Sequence, residues 1–169
     1  MNEIRLFFGK PVIRDRNELI SVIKDLQNRY GCVVQALDAD KVVSEKHISF
    51  AAEKAFAAFS QKRNIAKDTG MEIMRYASGE RQIERALCLG ISDRTKRIAL
   101  ILVSLDRECI WPNISDLSRL IEPDGLGCSF CDAAVKETFN ITEAEMEAVG
   151  EGRIEDLVIE RVALADTYR

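Results

Sequence analysis

"RIALILVSL", residues 97–105, runs from Ile98 to Val103 without a polar residue and is bounded by Arg97 and, after Leu105, by Asp106. A span across a membrane needs roughly 18 apolar residues, and this run is far shorter. Rich in branched side chains and without alternation, it predicts a strand buried on both faces. "EIRLFFG" (3–9) mixes aliphatic and aromatic residues and stops at Gly9 before Lys10-Pro11, which predicts a first strand and a turn. "CVVQALDA" (32–39) predicts another short strand. Between them "NELISVIKDLQNRYG" (17–31) places Leu19, Ile20, Val22, Ile23 and Leu26 at helical spacing, with Asn17 as a candidate N-cap and Gly31 as the stop. In "SEKHISFAAEKAFAAFSQKR" (44–63), Ser44 can cap a helix whose stripe is Ile48, Ala51, Ala52, Ala55 and Phe59. Short helices are expected at 113–121, 131–139 and 142–149, and a last amphipathic helix at 154–168. Strands and helices mix without strict alternation. The expectation is an α+β fold: one domain over residues 1–169, with a small mixed or antiparallel sheet packed with several helices.

With 169 residues, 47% apolar and 31% charged, the chain reads as an ordinary globular protein large enough to bury a core. The start, MNEIRLFFGK, has an early acid and no long apolar core, so no signal peptide is expected. Five cysteines make no paired framework. A reduced, cytoplasmic setting follows, without membrane contact. The net charge of −4 is uneven: residues 1–110 carry 19 Lys and Arg against 15 Asp and Glu, and residues 111–169 carry 5 against 13. Such a chain can meet phosphates with one face and a protein with another, although a plain solvated surface explains the charges equally well.

Catalytic chemistry finds little to use. His47 is the sole histidine, so multi-histidine metal sites are excluded. It reads as a helix-start histidine bonded to backbone or solvent. No phosphate-binding loop, nucleophile elbow or zinc-protease motif is present. Cys128 and Cys131 in "CSFC" have the spacing of thiol-redox and zinc sites, but Cys32, Cys88 and Cys109 form no second pair, and packing cysteines are the simpler reading. Asp38 with Asp40, and Glu122 with Asp124, are carboxylate pairs of the kind turns commonly carry. No catalytic residue, metal site, cofactor or small-molecule substrate is expected.

"MEIMRYASGERQIERALCLG" (71–90) raises a sharper question. An apolar segment, helical or extended, stops at Ala77-Ser78-Gly79. A new rhythm starts at Ile83, with Ala86, Leu87 and Gly90 on one stripe. A Ser-Gly step that opened a helix would leave free N–H groups able to hold an anion. Arg75, Arg81 and Gln82 would add charge and hydrogen bonds, Gly79 close approach, and Tyr76 a surface for stacking a base. A capped helix with routine surface charges is the bland alternative.

"QALDADKVVSEKHISFAAEKAF" followed by "MEIMRYASGERQIERALCLGI" resembles the small kinase-binding regulatory subunit of the KEOPS complex, the PRPK-binding protein family. The residues carrying the likeness are Ala39-Asp40, Val42 or Val43, His47, Glu72-Ile73-Met74, Ala77-Ser78-Gly79, and Gln82-Ile83 with Ala86; "ERVALAD" (160–166) is similar to the family's C-terminal helix. The likeness is good over 35–104 and acceptable at the C-terminus. Residues 105–150 match only in helical character, and CSFC is no part of the pattern. The resemblance implies a non-catalytic subunit of the machinery that installs threonylcarbamoyladenosine in tRNA. It implies two partners: an atypical kinase/ATPase, met through the C-terminal helix, and the single-stranded CCA end of tRNA. Onto this chain those roles carry as Arg75, Tyr76, Ala77, Ser78, Gly79, Arg81, Gln82 and Ile83 for the tRNA end. For the kinase they carry as Ile154, Leu157, Val158, Arg161, Val162 and Ala165, an apolar stripe expected to be partly exposed. The rival readings are a free-standing small thiol protein or enzyme using Cys128 and Cys131, and a structural adaptor without RNA contact.

Overall fold

A computed structural model describes residues 2–106 and 108–167. The fold is α+β, with a four-stranded antiparallel sheet and eight helices among the described residues. Its internal contacts gather into two compact units, Met1–Ala39 with Ile91–Gly127, and Asp40–Gly90 with Cys128–Arg169.

The first unit holds the sheet. Strands β1 (Glu3–Pro11), β2 (Val33–Asp38), β3 (Ile98–Ser104) and β4 (Ile121–Pro123) lie in the order β2-β3-β1-β4. The run that predicts a doubly buried strand is β3. It pairs antiparallel with both β1 (Phe7 opposite Leu100) and β2 (Ala36 opposite Leu100), and is buried from Ile98 to Val103. Helix α1 (Arg16–Tyr30) lays Leu19, Ile23 and Leu26 into one cluster with Val34, Ala36, Ile98, Leu100 and Leu102. Its N-cap is Asp15 rather than Asn17: the Asp15 carboxylate accepts from the Glu18 N–H at 2.8 Å. The helix expected at 113–121 is only α5 (Ile114–Leu117), because Ile121 turns into β4 beside the end of β1.

The second unit is helical: α2 (Glu45–Ser60), α3 (Thr69–Ser78), α4 (Ile83–Ala86), α6 (Asp132–Thr138), α7 (Glu143–Val149) and α8 (Ile154–Ala163). Ser44 caps α2 as expected, accepting from the His47 N–H at 3.0 Å. The alanines of α2 let α3 and α8 approach closely, and the buried stripe continues to Ala58 instead of Phe59. Thr142 and Glu145 close a capping box on α7. Helix α8 ends five residues before the expected 168, which itself lies outside the described residues. No helix among the described residues is long and apolar enough to cross a membrane.

Candidate nucleic-acid interface

Gly79 does not open a helix. It ends α3 with φ of +73°, its N–H bonded to the Tyr76 carbonyl at 2.9 Å, the left-handed turn that glycine adopts without a Cβ penalty. The next helix, α4, is four residues long, starts at Ile83 and has no side-chain cap. A helix mouth is therefore the wrong description of this site, because one turn of helix sums little dipole.

Around that turn, buried groups form a frame. Arg75 is fully buried, paired with Glu72 at 2.8 Å and stacked 4.1 Å from the Tyr76 ring centroid. Burial alone would lower the Arg75 pKa, but the Glu72 carboxylate outweighs it and holds the guanidinium charged. Glu72 also accepts the backbone N–H groups of Ile65 and Ala66, at 3.2 and 2.8 Å. Tyr76 is 1% exposed and donates to Asp166 at 2.7 Å. Burial raises its pKa, and the Asp166 hydrogen bond adds to the rise. Neither Arg75 nor Tyr76 offers a surface to a ligand, so the stacking platform read into Tyr76 is corrected by its burial. Ala77 is buried as well.

His47 joins the same frame. Its Nδ1 accepts from the Val43 N–H at 3.3 Å, so Nε2 carries the proton and donates to the Ala77 carbonyl at 2.7 Å. Burial lowers its pKa to about 4, against the opposing pull of the Ala77 carbonyl. A neutral imidazole with both nitrogens engaged braces the Ala77-Ser78-Gly79 turn and is not placed for proton transfer.

The frame supports a cavity of about 230 Å³, lined by Ser78, Gly79, Glu80, Arg81, Gln82, Arg85, Thr138, Phe139, Asn140 and Arg161. A more open hollow of about 670 Å³, walled by Ile65, Ile83 and Glu84, shares Arg81 and Gln82 with it. Five of the eight residues expected at the tRNA end (Ser78, Gly79, Arg81, Gln82 and Ile83) thus line these neighbouring hollows. Arg81 and Arg85 are exposed and bond to no carboxylate among the described residues. Sequence reading missed Thr138, Phe139 and Asn140, which reach the cavity from the end of α6 and carry no motif of their own.

Arg161 belongs to this wall too. Its guanidinium donates to the Phe139 carbonyl at 2.8 Å and to both Glu145 oxygens at 2.8 and 3.0 Å. A Cβ on Gly79 would stand 3.0 Å from the Arg161 Cβ. The rest of the expected kinase-facing stripe is internal. Ile154, Leu157, Val158, Val162 and Ala165 are all buried, and α8 lies against α2, α3 and α7. The partly exposed stripe is corrected: an apolar face this continuous is used up within its own unit.

Cys128 donates to the Val42 carbonyl at 3.5 Å, and the Cys131 N–H donates to the Asp40 carbonyl at 2.8 Å as α6 begins. No group of three or more metal-ligating side chains gathers among the described residues.

The family model "Kinase binding protein CGI-121" matches residues 13–166. The chain belongs to the CGI-121 family. It is also 30% identical over 141 residues to the "Regulatory protein Cgi121" of Methanocaldococcus jannaschii, covering 80% of this chain and 85% of that one. Within this CGI-121 chain, the residues that carried the likeness divide by structural role. His47, Glu72 and Ala77 build the buried frame, whereas Ser78, Gly79, Gln82 and Ile83 line the cavities.

Proposed function

We propose that this CGI-121 chain is a non-catalytic, kinase-binding regulatory subunit of KEOPS, and that it recruits tRNA for threonylcarbamoyladenosine formation by seating the single-stranded CCA end in the Arg81 cavity. The observation that carries the reading is the pairing of two exposed arginines, bonded to no carboxylate among the described residues, with a cavity of mixed polar and apolar lining beside the buried Glu72–Arg75 pair. Phosphates suit Arg81 and Arg85, and the backbone carbonyls, Gln82 and Asn140 suit base edges. The partly exposed Ile83 side chain supplies apolar surface to an unstacked base. The kinase then meets the outward face of α8, where Asp156, Glu160 and Ala163 are exposed and Ile159 half-buried.

A gel-shift titration with intact tRNA and with tRNA lacking its terminal CCA tests the tRNA half. Intact tRNA should bind and trimmed tRNA should not, and Arg81→Glu should weaken the intact complex. Equal binding of both RNAs would move the site. The kinase half is tested by co-purification with the atypical kinase: Glu160→Lys should lose the kinase and keep tRNA.

A further inference from the structure

Cys32 opens the segment leading into β2 and is buried. Cys109 follows β3 and packs half-exposed against the same apolar cluster. Backbone pairing holds them side by side. The Ile110 N–H donates to the Tyr30 carbonyl at 3.2 Å, which ties the residue after Cys109 to the residue two before Cys32. Tyr30 is fixed in turn by its hydroxyl, which donates to Asp116, and Arg29 pairs with the same carboxylate at 3.3 Å. On its other side, the Cys109 N–H donates to Asp106 at 3.0 Å. Both cysteines thus face the same apolar cluster, and Cys109 bears directly on the ionisation of the Cys32 thiol. Neither thiol serves the Arg81 cavity, and neither belongs to CSFC.

We propose that Cys32 and Cys109 form an oxidation site: a peroxide converts the two thiols to an intramolecular disulfide that clamps the Cys109–Asn113 segment to the start of β2. The half-exposed Cys109 meets the peroxide first. Its sulfur attacks one peroxide oxygen, which yields a sulfenic acid and releases water. The Cys32 sulfur then attacks the Cys109 sulfur, the S–S bond forms, and the hydroxyl leaves as a second water. Two thiols lose two electrons and two protons; one peroxide becomes two waters. Burial, reinforced by the neighbouring Cys109, pushes the Cys32 thiol up to about 11, so Cys32 stays protonated and slow towards free peroxide at neutral pH and reacts only with a sulfenic acid held beside it. Pairs of this kind in reduced compartments form transiently and report oxidant.

The full chain, treated with hydrogen peroxide at neutral pH, alkylated and digested without reduction, tests this by mass spectrometry. The peptide containing Cys32 should appear joined to the peptide containing Cys109, and dithiothreitol should separate them. The oxidised protein should melt at a higher temperature than the reduced one, and Cys109→Ser should abolish both the link and that difference. The proposal is overturned if the oxidised chain carries only a Cys128–Cys131 link or bonds between chains while Cys32 remains alkylatable after unfolding. It is equally overturned if the Cys32–Cys109 link appears only in urea.

Discussion

Acid sensitivity in this protein centres on His47. Its folded pKa, lowered to about 4 by burial, lies below the ordinary histidine value of 6.5. At pH 7 both folded and unfolded chains are largely neutral there. As the pH falls through 6.5 the unfolded chain takes a proton that the folded chain refuses until about pH 4, so stability is lost across that window. The loss approaches roughly 3 kcal/mol at 1.36 kcal/mol per unit. Carboxylates held low by their partners, such as Asp124 beside Arg97, lose their contribution only at lower pH. Chemical denaturation at pH 7, 6 and 5 should show the slope, and His47→Gln should flatten it. A second residue-scale test is Gly79→Ala. The left-handed backbone alone costs about 1–2 kcal/mol for a residue with a Cβ, and the methyl would crowd Arg161 at 3.0 Å. The expected destabilisation is about 2 kcal/mol, read from the urea midpoint, with weaker tRNA binding because the cavity wall shifts.

At the scale of elements, α8 separates two models of partner docking. Val158 is fully buried where α8 meets its helical neighbours. Val158→Asp would strand a charge without a partner, at a cost of several kcal/mol. The variant should unfold, or aggregate on expression, as seen by circular dichroism. A well-folded Val158→Asp that merely lost the kinase would restore the stripe as a docking face. This is also where sequence legibility divides. β3 was readable because a strand covered on both faces must be apolar throughout, and α2 because Ser44 and the alanine spacing act locally. α8 showed its stripe but not the destination of that stripe, since periodicity reports that a face is buried and not by what. β4 was hidden because three residues carry no period; only the tertiary pairing with the end of β1 makes Ile121–Pro123 a strand. The Ser78-Gly79 step misled for a related reason. Gly can flank either end of a helix, and Glu72–Arg75, buried as an i, i+3 pair, marks the segment before the glycine as the real helix. The candidate site was half legible: Arg81, Gln82 and Ile83 lie in one stretch of sequence, while Phe139 and Asn140 arrive by folding.

At the scale of the whole molecule, the charge balance limits how nucleic acid can bind. The helical unit that holds the cavity has 13 Lys and Arg against 17 Asp and Glu, so its average field repels phosphate. Broad electrostatic attraction cannot supply the affinity, so the proposed tRNA site would rest on a few local contacts at Arg81 and Arg85. Counterion release makes this measurable, because each phosphate neutralised on a single strand adds about −0.7 to the slope of log Kobs against log salt. Two contacts give a slope of about −1.4, far shallower than that of a protein gripping a duplex backbone. Arg81→Glu should reduce the slope by roughly one contact, with a loss of at least ~1 kcal/mol in affinity at low salt. Its fold should be unchanged, since the Arg81 side chain is exposed and bonds to nothing among the described residues. Fluorescence anisotropy of a labelled oligonucleotide ending in CCA, titrated between low and physiological salt, gives both numbers. A slope near −5 would place the binding surface outside this cavity, on a wider array of lysines and arginines, and the two-arginine site would be abandoned.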